Sequence, residues 1–123
     1  MTEQELFEVL KTKQDTLEMS EDKFSTFDCF NDKYVIELKC RNTHYDDLLI
    51  EKPKYDALLS DGRIPIYCCS TPKGIYLFHL ANLDIEWNES YANPKTTFFN
   101  NNNRVKKTVG YINVSNSINI KGW

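Results

Sequence analysis

Two consecutive apolar stretches, separated by a short polar turn, constrain this chain more than any other part of its sequence. Segment 24–41 is typical of two β-strands that meet at Asn31-Asp32, where short polar side chains tolerate unusual backbone angles. Because side chains alternate between the faces of a strand, a two-residue turn places Asp28, Glu37 and Lys39 on one face. The opposite face collects residues typical of a core, namely Phe27, Cys29, Tyr34, Ile36, Leu38 and Cys40.

The length of this turn decides how the two acids meet. With a two-residue turn, Asp28 faces Val35 and Thr26 faces Glu37, so Asp28 and Glu37 become diagonal neighbours. Their backbones are then roughly 7–8 Å apart, which is close enough for both carboxylates to converge on one ion. Lys39, two residues after Glu37, faces the same place. An acid on one strand and an acid-x-Lys triplet on the next form the candidate functional group.

Asp28 and Glu37-Leu38-Lys39 resemble the signature of the PD-(D/E)XK nuclease superfamily, with Phe27 standing where the name has proline. A second triplet, Glu21-Asp22-Lys23, has no apolar strand behind it and is not favoured. The resemblance implies an α/β (α+β mixed sheet) fold with a restriction-endonuclease-like core, in which helices flank a central mixed β-sheet. The superfamily core order, α-β-β-β-α-β, overlaps the order of elements expected here.

For function, the resemblance implies a Mg²⁺-dependent (or Mn²⁺-dependent) endonuclease that hydrolyses phosphodiester bonds of a DNA substrate. Asp28, Glu37 and the backbone carbonyl of Leu38 would bind the metal. Lys39 would orient or deprotonate the attacking water or stabilise the charged transition state. Many nucleases of this size are homodimers, and the Asn- and Lys-rich composition is similar to that of small phage- or mobile-element-encoded members.

A helix is predicted from Thr2 to about Lys13, with an apolar stripe and a capping-box pattern of Thr2 and Glu5. The superfamily often places an acid from such a helix beside the metal. Glu5 or Glu8 could serve, but a solvated helix face with a capping Glu5 is the better explanation of these residues.

A second helix is expected to begin near Pro53 and to end at Gly62. Lys54 matches the position from which many superfamily members direct a Gln or Lys into the active site. A surface lysine lying along the helix is the alternative. The preceding segment, 42–52, is expected to begin extended and then turn helical.

The second half of the chain is predicted to be rich in strands. Ile64–Ser70 and Ile75–Leu80 favour a hairpin around a Thr-Pro-Lys-Gly turn, and their apolar residues on both faces indicate a central position in the sheet. Lys95–Phe99 and Arg104–Val114 are further candidate strands. A third strand of the superfamily core is expected either from 40–45 or from pairing with a later part of the chain.

Length and composition indicate one globular domain spanning residues 1–123, with 41% hydrophobic residues. No apolar run of about 18 residues is present, so we expect no membrane span, and the acidic, polar start excludes a secretory signal. The four cysteines form no C-x-x-C pair. They are interpreted as buried free thiols of a protein in the reducing cytoplasm, ahead of a zinc site or disulfides.

Two functional interpretations remain open at this point. The intact Glu37-Leu38-Lys39 triplet favours a nuclease, and Lys106, Lys107 and Tyr111 mix bases with an aromatic as a nucleic-acid groove does. The net charge of −3, with an acidic pI, and the missing long basic stripe leave room for a non-catalytic binding protein of the nuclease fold, acting through protein or nucleic-acid contacts. Solvated strand edges would also explain the charged residues on these strands.

Overall fold

The computed structural model describes residues 1–22, 24–92 and 105–123. The helices are α1 (Glu3–Lys11) and α2 (Lys52–Ser60), and short 3₁₀ turns occupy Leu80–Asn82, Val114–Asn116 and Ile120–Gly122. The strands, in chain order, are β1 (Glu18–Met19), β2 (Cys29–Phe30), β3 (Tyr34–Cys40), β4 (Asp47–Glu51), β5 (Ile64–Thr71), β6 (Gly74–His79), β7 (Asn88–Ala92) and β8 (Val105–Asn113).

The strands form two sheets. A five-stranded sheet has the order β1-β2-β3-β5-β6, and a three-stranded antiparallel sheet has the order β4-β8-β7. In the larger sheet β3 and β5 are parallel, whereas the other neighbours are antiparallel, so the sheet is mixed. The connection between the parallel strands consists of β4 and α2, as expected for a crossover that cannot be a tight turn.

A hydrophobic core lies on each face of the larger sheet because β3 and β5 are buried on both faces. Ile36, Leu38, Ile66 and Cys68 pack on the side of α1, together with Leu6, Phe7 and Leu10 of that helix. On the other side, a second set packs beneath α2 and the smaller sheet: Val35, Tyr67, Cys69, Phe78, Leu58, Leu48, Ile50 and Ile112.

Helix α1 has the predicted capping box, and its described length is slightly shorter than predicted. The Thr2 side chain accepts a hydrogen bond from the Glu5 amide, and the Glu5 carboxylate accepts one from the Thr2 amide (3.1 and 3.0 Å). The helix ends at Lys11, two residues before the predicted boundary. Its apolar stripe is buried, which fixes α1 against β3.

The predicted position of the turn between β2 and β3 is wrong. The observed pairs are Cys29 with Ile36 and Phe30 with Val35, and the Asn31 amide donates a hydrogen bond to the Tyr34 carbonyl at 3.1 Å, so the turn lies at Asp32-Lys33 and the register shifts by two residues. The Asn31 side chain stabilises this turn, because its Oδ1 accepts hydrogen bonds from the amides of Lys33 and Tyr34 (2.9 and 2.7 Å). Since the shift is an even number, each strand residue keeps its face.

The remaining predictions meet mixed outcomes. Segment 42–52 does not turn helical: β4 stays extended to Glu51 and pairs with β8, a later part of the chain.

The hairpin of β5 and β6 and the helix start at Pro53 are confirmed, but β6 lies at the edge of the sheet. Phe27 packs with the core beneath α2, not with the core beside α1. Strand β8 confirms the prediction for Arg104–Val114 in its described part, and Lys95–Phe99 lies outside the described residues.

All four cysteines are free thiols, as predicted, with Cys29, Cys68 and Cys69 buried and Cys40 partly exposed. Among the described residues, neither α1 nor α2 nor any shorter helical turn has the length and apolarity that crossing a membrane requires.

The smaller sheet is closed on one side by Ile85 and Trp87, which pack directly against the backbone of Gly110 in β8. A Cβ atom at Gly110 would overlap the Ile85 Cγ2 atom and lie 3.1 Å from the Trp87 ring. We therefore expect Gly110→Ala to lower the free energy of unfolding by about 1–3 kcal/mol, measured by urea denaturation. Gly122→Ala is the matched control, because no atom lies within 4 Å of the added methyl group. Equal stability of the two variants would contradict this packing.

Candidate active site

Asp28 and Glu37 lie close enough for their charges to interact. Asp28 is the residue before β2, and its amide donates a hydrogen bond of 2.9 Å to the carbonyl of Ile36, the residue that precedes Glu37. The charge of Asp28 raises the pKa of Glu37. The two acidic side chains are therefore near neighbours.

Asp28 is held in place by the strand that carries Glu37. Its Oδ2 atom accepts a hydrogen bond from the Leu38 amide at 2.8 Å. The Leu38 side chain is fully buried in the core on the α1 side, so this amide is a rigid donor. The backbone between Glu37 and Lys39 thus orients the carboxylate of Asp28.

Glu37 is an acid in a largely buried position, with its side chain 13% exposed. Lys54, in the first turn of α2, places its Nζ atom 3.4 Å from the Glu37 Oε2 atom. That oxygen is buried, and this ion contact does not meet hydrogen-bond geometry, so Oε2 has no hydrogen-bond donor. Burial, and next the charge of Asp28, raise the pKa of Glu37 to about 7, against the lowering effect of Lys54 and Lys39.

A cleft of about 300 Å³ opens over these residues. Its lining carries three basic and two acidic side chains and is completed by apolar residues and a tyrosine: Lys39, Arg41, Lys54, Glu37, Glu51, Leu49, Ile50 and Tyr67. Mixed charge of this kind suits a phosphate group whose negative charge is shared between basic side chains and a bound cation. Of the predicted site residues, Glu37, Lys39 and Lys54 line the cleft, and Asp28 is outside its lining but close enough to raise the pKa of Glu37.

The acid of α1 whose pKa responds to the charges at this site is Glu3, whereas the candidates Glu5 and Glu8 have partners within the helix region. Glu5 is engaged with Thr2, and Glu8 accepts a hydrogen bond from the Gln4 amide group at 2.8 Å. Burial and the charge of Asp28 raise the pKa of Glu3, while Lys39 and Lys54 lower it. The capping-box pattern in the sequence already argued against Glu5 as a site residue, because the Glu5 carboxylate of a capping box points back to the helix start.

Arg41 and Glu51 were missed from the sequence. Arg41 is the first residue after β3 and continues the alternation of Glu37 and Lys39, so extending that pattern by two residues would have found it. Glu51 ends β4 and receives an ion pair from Lys107 at 2.8 Å. Glu51 reaches the cleft as part of β4, and no local pattern signals that this segment forms a strand paired with β8.

The donor atoms at the cleft fit a hard cation. In the described part of the chain, no group of three His, Cys, Asp or Glu side chains forms a preformed metal site. The carboxylates of Asp28 and Glu37 nevertheless supply oxygen ligands, and Mg²⁺ is commonly held by one or two carboxylates while keeping several waters. The buried Glu37 Oε2 atom without a donor is the kind of acceptor that a cation would satisfy. The residues present therefore fit Mg²⁺ or Mn²⁺.

Comparison with known structures identifies the fold of this chain. Scans find no matching protein-family model and no matching curated protein. The chain is similar to the crystal structure of Hjc, a Holliday junction resolvase from the archaeal hyperthermophile Archaeoglobus fulgidus, with a TM-score of 0.53 and 14% sequence identity. The match covers 92% of this chain and 83% of Hjc. The predicted fold class, a restriction-endonuclease-like mixed sheet flanked by helices, is confirmed.

The raised pKa of Glu37 predicts a pH dependence of stability in the metal-free protein. A carboxyl group whose pKa is about 7 in the folded protein, above its ordinary value of 4.5, binds its proton more tightly in the folded state. The free energy of unfolding therefore falls as the pH rises from 4.5 to about 7. Glu37→Gln should therefore gain up to about 3 kcal/mol in unfolding free energy over wild type between pH 4.5 and pH 8. Urea denaturation with EDTA at several pH values measures this difference. Glu18→Gln, an exposed acid of β1, is the control, and a Glu37→Gln difference independent of pH would contradict the assignment.

Proposed function

We propose that this protein is a metal-dependent nuclease that hydrolyses phosphodiester bonds of DNA. The observation that carries the proposal is that Glu37, Lys39 and Lys54 line one cleft, with Asp28 close enough to raise the pKa of Glu37, in a chain with the fold of a nuclease. Hjc is a Holliday junction resolvase, which supports DNA as the substrate class. Branched DNA therefore belongs among the substrates to be tested.

Asp28 and Glu37 would hold Mg²⁺ or Mn²⁺, with the Leu38 backbone carbonyl as a third ligand. When bound, such a cation neutralises charge on the phosphate and lowers the pKa of a bound water. The Leu38 amide fixes the Asp28 carboxylate through its hydrogen bond to Oδ2. Lys54 lowers the pKa of Glu37 and so favours the ionised form that metal binding requires.

Lys39 is proposed to act on the attacking water or on the charge that develops at the phosphate. It is exposed, lies two residues after Glu37 on the same face of β3, and lines the same cleft. A positioned amine there either orients and deprotonates water or donates to the phosphate oxygens in the transition state. Arg41, farther along the strand, adds a fixed positive charge for the DNA backbone.

The remaining features expected from the sequence stay predictions. These are a homodimer, with one cleft for each DNA strand, a cytoplasmic location and a phage or mobile-element origin.

Cleavage assays test the proposal directly. With Mg²⁺ or Mn²⁺, the wild-type protein should cut at least one member of a set that includes duplex, single-stranded and four-way-junction DNA. Asp28→Asn, Glu37→Gln and Lys39→Ala should each reduce the rate by about 100-fold or more, because each removes a metal ligand or the catalytic base.

Lys54→Ala should reduce cleavage less, since Lys54 acts through Glu37. Lys52→Ala is its matched control, because Lys52 is on the same helix and is paired with Asp56 at 3.0 Å. Circular dichroism verifies folding of each variant. Undiminished cleavage by both Glu37→Gln and Lys39→Ala would refute the site.

Metal binding is measured separately by thermal unfolding. Two adjacent carboxylates repel each other without a cation, so millimolar Mg²⁺ or Mn²⁺ should raise the melting temperature of wild type and leave that of Asp28→Asn unchanged. Ca²⁺ is a useful further probe because it binds the same oxygen ligands. An identical melting temperature with and without each cation would argue against a metal site.

A second candidate function is a non-catalytic binding protein of the nuclease fold. The contact between Lys54 and Glu37 favours it, because a lysine already compensates the buried carboxylate without metal. This candidate predicts DNA binding that is independent of divalent ions and no cleavage of any substrate. The melting-temperature and cleavage experiments together distinguish the two functions.

A further inference from the structure

A second, larger cavity adjoins the candidate active site. It is a groove of about 840 Å³ between the loop after β3 and the outer face of the smaller sheet. The lining that matters for its chemistry consists of Arg41, Tyr45, Asp46, Asp47, Leu49 and Tyr111. We refer to these residues as the tyrosine groove.

Two aromatic side chains are exposed in this groove. Tyr45 is 63% and Tyr111 is 53% exposed, and both belong to the small set of exposed large apolar side chains in the described residues. Tyr111 lies directly opposite Leu49 in the pairing of β8 with β4, so the two share the outer face of the sheet. Clustered exposed apolar surface of this kind indicates a contact with a partner.

The tyrosine groove is continuous with the catalytic cleft. Arg41 and Leu49 line both cavities. The Leu49 carbonyl accepts hydrogen bonds from the Arg41 guanidinium at 3.5 Å and from the Tyr67 hydroxyl at 3.0 Å. The hydrogen bond to this shared carbonyl places Arg41 at the boundary between the tyrosine groove and the cleft. Its positive charge is therefore available to a ligand that extends from one cavity into the other.

The charges of the groove favour a base over a phosphate chain. Asp46 lies 2.9 Å from the His44 ring, and Asp47 accepts a hydrogen bond from the Asn113 amide at 3.1 Å. Two carboxylates would repel a run of phosphates, whereas carboxylate oxygens accept hydrogen bonds from base amino groups. The lysines of β8 do not offset this repulsion, because Lys106 and Lys107 are paired with Glu89 and Glu51.

We propose that the tyrosine groove binds one unpaired base of DNA next to the phosphate that is cleaved. The base stacks on Tyr45 and Tyr111, and Arg41 contacts the phosphate that links it to the catalytic cleft. The preferred substrate is thus DNA with an unpaired nucleotide, such as a bulge or a flap, instead of a fully paired duplex. This inference rests on the proposed nuclease function and specifies its substrate class.

The test separates base binding from cleavage by using the full-length Glu37→Gln protein without metal. The probes are two duplexes of the same sequence, one with 2-aminopurine in a single-nucleotide bulge and the other with 2-aminopurine paired to thymine. The bulged probe should bind about 10-fold more tightly and lose fluorescence as its base stacks. Adding Tyr45→Ala or Tyr111→Ala should abolish that preference.

Conservative and distant variants keep the test specific. Tyr45→Phe and Tyr111→Phe retain the aromatic ring and should retain the preference for the bulge. Phe24→Ala removes another exposed aromatic side chain, outside the groove, and should also retain it. Equal binding of the two probes, or a preference unaffected by both alanine variants, would overturn the proposal.

Two further outcomes separate this inference from the function on which it rests. Wild-type cleavage of paired and bulged duplexes at equal rates would preserve the nuclease and remove the base site. A bulge preference in a protein that cuts nothing would preserve the base site and remove hydrolysis. A lower sedimentation coefficient of the alanine variants, with base preference unchanged, would assign the groove to a second copy of the chain.

Discussion

The parallel pairing of β3 with β5 is the constraint on which the rest of the structure depends. Its register runs from Tyr34 with Ile64 to Cys40 with Ser70, and both strands are buried on two faces. Parallel neighbours need a crossover, and here the crossover consists of β4 and α2. Lys54 of α2 and Leu49 of β4 are consequently delivered to the face of β3 that carries Glu37. This one pairing therefore brings together residues of the cleft that are distant in sequence.

Glu37 lies where the apolar and polar parts of this face of β3 meet. Val35 precedes it in the core beneath α2, and Lys39 follows it at the exposed end of β3, so the face changes from apolar to polar along one strand. Glu37 sits at the transition, where burial disfavours its charge and Lys54 favours it. Such a compromise lowers stability at neutral pH, which is typical of a group retained for binding or catalysis.

Local patterns predicted the faces of this fold well and its long-range pairings poorly. Alternation along β3 placed Glu37 and Lys39 together, and Thr2 with Glu5 predicted the start of α1, since both depend on neighbours within a few residues. The prediction of the turn between β2 and β3 was wrong because the Asn31 side chain itself takes part in the turn. Strand β4 was not foreseen, because its partner β8 lies more than 50 residues away. Glu3 was passed over because helix periodicity does not reveal which end of α1 approaches Asp28.

The junction between β4 and α2 shapes the cleft directly. Strand β4 ends at Glu51 and α2 begins at Lys52, so no residue separates the strand from the helix. Leu49, Ile50 and Glu51 of β4 and Lys54 of α2 line the same cleft as Glu37. One continuous segment of the crossover, 49–54, therefore supplies half of the residues that line the cleft.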